Sequence, residues 1–133
     1  MIQQDLTALR ARFFSAFDAQ DAQVLWQGKP TINLNETKPY SRLLIEPGAR
    51  ELVEMGNSRT YLQLGLITLS ITIPKGVGLA VGYDLRDKFD NLFRDWRSAD
   101  RAISIRGSSD TLTENDTHFI LRIRFRWESF RTL

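Results

Sequence analysis

The segment ITLSITI at residues 67–73 decides the fold class, because its apolar and polar residues alternate without interruption. A period of two places every second side chain on the same face of a strand. We therefore predict a strand over residues 61–73 with one buried face. Just before it, Leu62, Leu64 and Leu66 occupy the opposite parity, which predicts a bulge or bend near Gly65.

A second long strand is predicted at residues 117–128, where apolar residues recur at every odd position from Phe119 to Trp127. Its even positions include Arg122, Arg124 and Arg126. Two shorter strands are predicted at 40–46, ending at a Pro-Gly pair, and at 102–106, followed by a turn at 107–110.

Two helices flank these strands in the sequence. Apolar residues at spacings of three and four predict an amphipathic helix over about residues 2–18 and another over about 78–97. The order α-β-β-α-β-β predicts one α+β domain spanning residues 1–133, with a mostly antiparallel sheet and both helices packed on one face.

Residues 48–60 combine four charges with two glycines and have little periodicity. Such a stretch favours a long excursion between paired strands, and long excursions are usually functional. A polar loop is also predicted after the short apolar piece at 24–26.

The composition excludes several classes of protein. The chain has 133 residues, 42% of them hydrophobic and 26% charged, and no cysteine, which suits a single folded domain and excludes thiol catalysis and cysteine-bound metals. No apolar run is long enough to span a bilayer, and no signal peptide is predicted, so we expect synthesis in the cytosol. The net charge of +2 gives no indication of a nucleic-acid partner.

Two features of the sequence could indicate an enzymatic site. A strand followed by the glycine-rich residues 76–82 and a helix could cradle phosphates, but the spacing fits neither a dinucleotide fingerprint nor a P-loop. We expect these glycines to form a turn and to let the helix pack on the sheet. His118, the one histidine, lacks the convergent partners of a metal or catalytic site. We predict no enzyme activity and no cofactor.

The arginine row of the last strand is the most unusual feature. Guanidinium groups about 7 Å apart on one face repel each other unless something negative lies across them. The alternatives are solvation or intramolecular pairing with a carboxylate such as Glu46, a second subunit, or nucleic-acid phosphates.

Several short motifs, in their order along the chain, resemble small tail-terminator or tail-completion proteins of long-tailed bacteriophages and prophages. They are PYSRLLIEPG at 39–48, a glycine at position 56, ITLSITIP at 67–74, Gly76-x-Gly78, LRDKF at 85–89 and FRW at 125–127. The resemblance runs from the first helix to the last strand.

This resemblance implies a structural protein of the virion with a fold like the lambda tail terminator. Such a protein assembles as a ring, typically a hexamer, in the host cytoplasm, caps the tail tube and docks the head connector. The implied partners are other copies of the chain, the major tail tube protein, head-tail connector proteins, and DNA that passes through the lumen without sequence-specific binding. A tail-completion or neck role remains open.

On this hypothesis the 48–60 excursion, with Arg50, Glu51, Glu54 and Arg59, contacts the tube or the neighbouring subunit. Arg122, Arg124 and Arg126 make subunit contacts or line the DNA passage. The alternative function is a small nucleic-acid-binding module that uses the arginine row.

Overall fold

The computed structural model describes residues 2–17, 24–26, 38–54 and 59–132. Within these ranges the elements are α1 (Ile2–Phe14), β1 (Val24–Trp26), β2 (Tyr40–Glu54), β3 (Thr60–Pro74), α2 (Ala80–Phe93), β4 (Ile103–Glu114) and β5 (His118–Thr132). The strands form one sheet in the order β1-β2-β3-β5-β4, with β1 parallel to β2 and the other pairs antiparallel. The predicted α+β class, with two helices on a mostly antiparallel sheet, is confirmed.

The core lies between the helices and one face of the sheet. Leu69 of β3 lies in register between Leu43 of β2 and Ile123 of β5, and all three are buried. The rings of Phe89 and Phe93 in α2 lie 5.6 and 6.3 Å from the ring of Phe125. The alternation read from the sequence therefore identifies the buried face correctly. In the described part of the chain, no helix is long and apolar enough to cross a membrane.

The α2 helix approaches β3 closely through one glycine. A β-carbon at Gly82 would overlap Cδ1 of Ile73. The interpretation of the glycine-rich segment as a turn that lets the helix pack on the sheet is confirmed at this residue, and Gly78 adopts a φ of 87°, which favours glycine.

Both helices are shorter than predicted, and one strand was missed. The α1 helix ends at Phe14 rather than near 18, and α2 covers Ala80–Phe93 rather than 78–97. Val24–Trp26 forms the edge strand β1, because pairing along β2 stabilises a segment too short to show an alternation of its own.

The prediction of a loop at 48–60 was wrong for the residues that the structure describes. β2 does not stop at the Pro-Gly pair but continues to Glu54, with a register shift between Pro47 and Arg50. A bulge accommodates the proline, which lacks a backbone donor. Gln63 stabilises it by donating from Nε2 to the carbonyl of Gly48 at 2.9 Å. Residues 55–58 lie outside the described residues.

The bulge predicted near Gly65 lies in the partner strand instead. β3 pairs with β5 without a register shift, and the shift in β2 falls opposite residues 63–65. The opposite parity of Leu62, Leu64 and Leu66 therefore means that these residues lie on the other face of a continuous strand.

The turn predicted at 107–110 was also wrong. β4 continues to Glu114, with a register shift between Ile105 and Ser108 that bypasses Gly107. The reversal follows Glu114, where Oδ1 of Asn115 accepts hydrogen bonds from the backbone N–H groups of Thr117 and His118 at 2.9 and 2.8 Å. Polar residues that are typical of turns can thus occupy an exposed edge strand, where solvent replaces a packing partner.

Candidate interaction surface

The sheet has a second face, which we call the open face because no described helix or strand covers it. Strand alternation places the apolar residues of β3 and β5 toward the helices and their even-numbered neighbours on this face. Arg42, Ser70, Arg122 and Thr111 lie in register across four strands. Among the described residues, this second face carries side chains that range from buried, as for Thr68, to exposed, as for Arg42 and Arg124.

Four arginines dominate the middle of the open face. Arg122, Arg124 and Arg126 follow β5, and Arg42 lies on β2, two strands away from Arg122. Arg124 donates from Nε to the hydroxyl of Thr68 at 3.3 Å. Within residues 2–17, 24–26, 38–54 and 59–132, none of the four makes an ion pair. Their charges are thus not compensated by a carboxylate of the described chain.

Glu46 does not pair with the arginine row. It is in register with Leu66, which is in register with Arg126, so Glu46 and Arg126 are separated by a whole strand. Neighbouring strands lie about 4.8 Å apart, which places the two backbones about 10 Å from each other. The intramolecular pairing considered for Glu46 is therefore not observed, whereas solvation and an external partner remain as alternatives.

An apolar strip borders the arginines. Leu62, Leu64 and Leu66 follow β3 on the open face, and Phe130 of β5 is in register with Leu62. Leu64 is 37% exposed and Phe130 45%. An arginine group beside partly exposed apolar side chains is the composition that protein interfaces favour.

A groove of about 450 Å³ lies where the strip meets the arginine row. Arg106 and Glu128 form an ion pair at one side of it, with 2.7 Å between Nε and Oε1. Arg126 also lines the groove, and its guanidinium extends toward Gly107, where a β-carbon would lie 3.3 Å from Nη2. The groove can therefore accept an apolar side chain next to one guanidinium that has no carboxylate partner among the described residues.

The residues expected at the 48–60 excursion lie on a long arm formed by the ends of β2 and β3. Arg50 is in register with Gln63, on the helix-facing side, and its guanidinium lies 4.9 Å from the ring centre of Tyr61. Glu51 is in register with Leu62 and lies on the open face. Glu54 ends β2 and Arg59 precedes β3.

These placements separate the predicted site residues into two groups. Arg122, Arg124 and Arg126 share the open face with Glu51, but Arg50 lies on the opposite side of the sheet. Sequence reasoning missed Arg42, Arg106 and the leucine strip. The opposite parity of the three leucines is the sequence signal that indicates this strip, and it equally fits the predicted bulge.

A second surface is formed by the outer side of α2, on the far side of the molecule from the open face. Val77, Val81 and Tyr83 are each 44% exposed. Asp84 is exposed and belongs to no ion pair in the described ranges, and Asp87 pairs only with Arg86 beside it. Arg86 is bound mainly by Asp110, with 2.6 Å between Nη2 and Oδ2, and this hydrogen bond raises its pKa.

His118 lies at the start of β5 and is partly buried. Its Nδ1 is 2.7 Å from the hydroxyl of Thr117, and its ring packs edge-on near Tyr40 with the centres 6.4 Å apart. Within the described residues no group of three metal-ligating side chains includes it.

Comparison with known proteins finds a similar fold but no related sequence family. No protein-family model matches the sequence, and no curated protein matches it significantly. A solved structure matches with a TM-score of 0.65 and 20% sequence identity, over 93% of this chain and 94% of the other. At this identity the similarity shows the fold alone, and it extends over nearly the full length of both chains.

Proposed function

We propose that the protein is a structural component of a bacteriophage or prophage tail, a tail terminator that forms a ring, caps the tail tube and joins it to the head connector. The proposal starts from the short sequence motifs that, in their order along the chain, resemble phage tail-terminator proteins. A single α+β unit with one open sheet face is compatible with it, since a ring subunit needs broad contact surfaces rather than an enclosed site.

The observation that carries the proposal is the composition of the open face, which combines arginines with partly exposed apolar residues. Four arginines without carboxylate partners among the described residues lie beside partly exposed leucines. A surface of this composition is typical of a protein interface, where arginine and apolar residues are enriched. The two unlike surfaces of the chain, the open face and the outer side of α2, suit the head-to-tail contacts from which rings are built.

The remaining expectations follow from the assembly. The tube and connector proteins contact the ring on its two ends, and the arm that carries Arg50 and Glu51 reaches beyond the core toward one of them. The net charge of +2 is compatible with a lumen through which DNA must slide, because a strongly basic lining would bind DNA and retain it.

Two measurements test the proposal. Light scattering at high concentration and negative-stain microscopy should detect a ring-sized species, either alone or on tail tubes. Expression in a terminator-defective phage of the same tail type should restore tails of uniform length. A strictly monomeric chain that neither binds tubes nor restores tail length would overturn the proposal.

A small nucleic-acid-binding module is the second candidate, favoured by the same four arginines and by the hydroxyl group of Ser70, which lies in register between Arg42 and Arg122. Phosphate contacts would make its affinity fall steeply with salt. A filter-binding titration on duplex and single-stranded DNA measures this slope. Tight binding that collapses when Arg122, Arg124 and Arg126 become alanine would establish this function instead.

A further inference from the structure

We propose that the open face of one copy binds the outer side of α2 of a second copy, head to tail. The inference rests on the proposed function, because it names the subunit contact of the ring. Neither the arginine row nor the helix surface alone defines this partner. The pairing is inferred from their complementarity in charge, length and apolar content.

The charges of the two surfaces are opposite. The centre of the open face carries Arg42 and the arginine row, with Glu46 as a carboxylate that forms no ion pair in the described ranges. The segment from Ala80 to Asp95 carries four aspartates and three cationic residues. Two of these cations are already engaged, because Arg94 pairs with Asp90 and Arg86 with Asp110. Asp90 is buried in its pair with Arg94, so the exposed side of α2 carries Asp84, Asp87 and Asp95 against Lys88, which leaves a net negative charge.

The two charged rows have comparable lengths. Arg122 and Arg126 are four residues apart in a strand, which corresponds to about 14 Å. Asp84 and Asp87 lie one turn apart on α2, and with the uncharged Asn91 they form one polar stripe of about 10 Å. Asp95 follows just after the helix ends and adds a third carboxylate at the end of this stripe. A helix laid along the arginine row can thus place several carboxylates within reach of guanidinium groups.

Apolar side chains flank the charges on both surfaces. On the open face these are Leu64 and Phe130, and on the helix side Val81 and Tyr83, all between 37% and 45% exposed. Contact between the strips would remove apolar surface from water, which supplies affinity that charge pairs alone rarely give. The apolar strip also disfavours DNA as the occupant of this face, because a phosphate backbone offers it no matching surface.

The geometry requires unlike surfaces to meet. Pairing of two open faces about a two-fold axis through the arginine cluster would bring arginines against arginines, which is repulsive. The open face and the outer side of α2 lie on opposite sides of the two-layer fold. Each time a copy is added, the assembly therefore keeps one free open face at one end and one free α2 surface at the other. Such heterologous contacts produce rings when the rotation between copies closes.

Two variants test the two surfaces independently, because each disrupts only one of them. The open-face variant carries Arg122→Glu and Arg124→Glu, and the helix-face variant carries Tyr83→Ala and Asp84→Ala, so the two altered surfaces do not complement each other. Each should lose the association of the wild type by light scattering, because each lacks one half of the contact. Mixed in equal amounts, they should form a dimer that grows no further, since only one intact pair of surfaces remains. Asp116→Arg, an exposed charge reversal in the β4–β5 turn, is the matched control and should assemble normally.

Cross-linking provides a readout that does not require a stable ring. The chain has no cysteine, so Ser70→Cys on the open face and Tyr83→Cys on α2 can be labelled without background. A short bismaleimide should join these two variants to each other at least ten-fold more than it joins Ser70→Cys to Asp116→Cys. The yield is measured on denaturing gels, with and without tail tubes.

The outcomes distinguish this contact from the function on which it rests. Rings that persist in the open-face variant, or a Ser70–Tyr83 cross-link no stronger than the control, would overturn the contact and leave the tail-terminator proposal intact. A wild-type chain that neither assembles nor caps tubes would overturn both. DNA binding that is lost with Arg122 and Arg124, without self-association, would assign the open face to nucleic acid. Thermal unfolding of each variant shows whether it is folded.

Discussion

The indole of Trp127 lies where a side chain at position 65 would have to be. A β-carbon at Gly65 would overlap Cε2 and Cζ2 of Trp127 and approach the carbonyl oxygen of Glu46 to 2.6 Å. Trp127 is 1% exposed and is in register with Gly65 on the neighbouring strand. The glycine thus provides the space that allows the largest side chain of the core to lie flat against the sheet.

Replacing Gly65 by alanine should destabilise the fold. The added methyl group meets a buried ring and a backbone carbonyl, neither of which can move freely, and overpacking of this kind costs about 1–3 kcal/mol. Urea unfolding followed by tryptophan fluorescence measures the loss.

Gly76→Ala is the matched control for this substitution. A β-carbon at Gly76 has no neighbour within 4 Å, so the free energy of unfolding should change by no more than about 0.5 kcal/mol. Equal effects of the two alanines would contradict the packing role of Gly65.

The core could be predicted from the sequence because burial imposes a periodic pattern. The alternation from Ile67 to Ile73 and from Phe119 to Trp127 identified the helix-facing residues of the two central strands. The same reasoning failed at strand ends. Pro47 and Gly107 have the chemistry of chain reversals, but each lies where a strand shifts register and continues.

The candidate surface was predictable only in part. The arginine row could be predicted because its members belong to one strand. Arg42 belongs to another strand, and only the strand register places it near the row. Likewise, no local pattern indicates that Glu46 lies a whole strand away from Arg126. Contacts across strands depend on register, which the bulges in β2 and β4 set.

The salt bridge between Asp5 and Arg131 connects the first helix to the last strand. Asp5 is fully buried, and its Oδ1 accepts hydrogen bonds from Nε of Arg131 at 2.8 Å and from the hydroxyl of Ser129 at 3.0 Å. Arg131→Ala should lower the free energy of unfolding by about 3 kcal/mol, because it leaves a buried carboxylate without its cation. Chemical denaturation measures this loss.

Lys75→Ala serves as the comparison for Arg131→Ala. Lys75 pairs with Glu114 at 3.3 Å, but the two side chains are 39% and 61% exposed. Removing such a surface pair should cost less than about 1 kcal/mol. If Arg131→Ala cost no more than Lys75→Ala, the Asp5 contact would not contribute to stability in the way that its burial indicates.

Asp100 should give the fold a dependence on acid pH. Its pKa is lowered from 3.8 to about 2, chiefly by the hydroxyl of Ser98, with the backbone N–H of Ala102 and Arg131 adding to the effect. A carboxylate with a depressed pKa stabilises the folded state above its ordinary pKa, and this contribution is lost as the pH falls from about 4 toward 2.

Asp100→Asn removes this titration. The difference in unfolding free energy between the wild type and the variant should be constant above about pH 5 and shrink as the pH falls toward 2. Because the side chain is 55% exposed, the change will be small and is best measured in low salt. A difference that stays constant down to pH 2 would contradict the role of Asp100.

The close approach of α2 to β3 should produce a strong coupling between Gly82 and Ile73. Gly82→Ala improves helix propensity by about 1 kcal/mol, but its methyl group would overlap Cδ1 of Ile73, so the single substitution should destabilise the fold. Ile73→Val removes that atom at a cost of about 0.5–1.5 kcal/mol. In the Ile73→Val background Gly82→Ala should therefore be neutral or stabilising, which corresponds to a coupling energy of about 1–3 kcal/mol in a double-mutant cycle.

Asn91→Ala, on the exposed side of the same helix, should be additive with Ile73→Val. Additivity of Gly82→Ala with Ile73→Val would mean that the helix can shift away from the sheet and that the glycine does not set its distance.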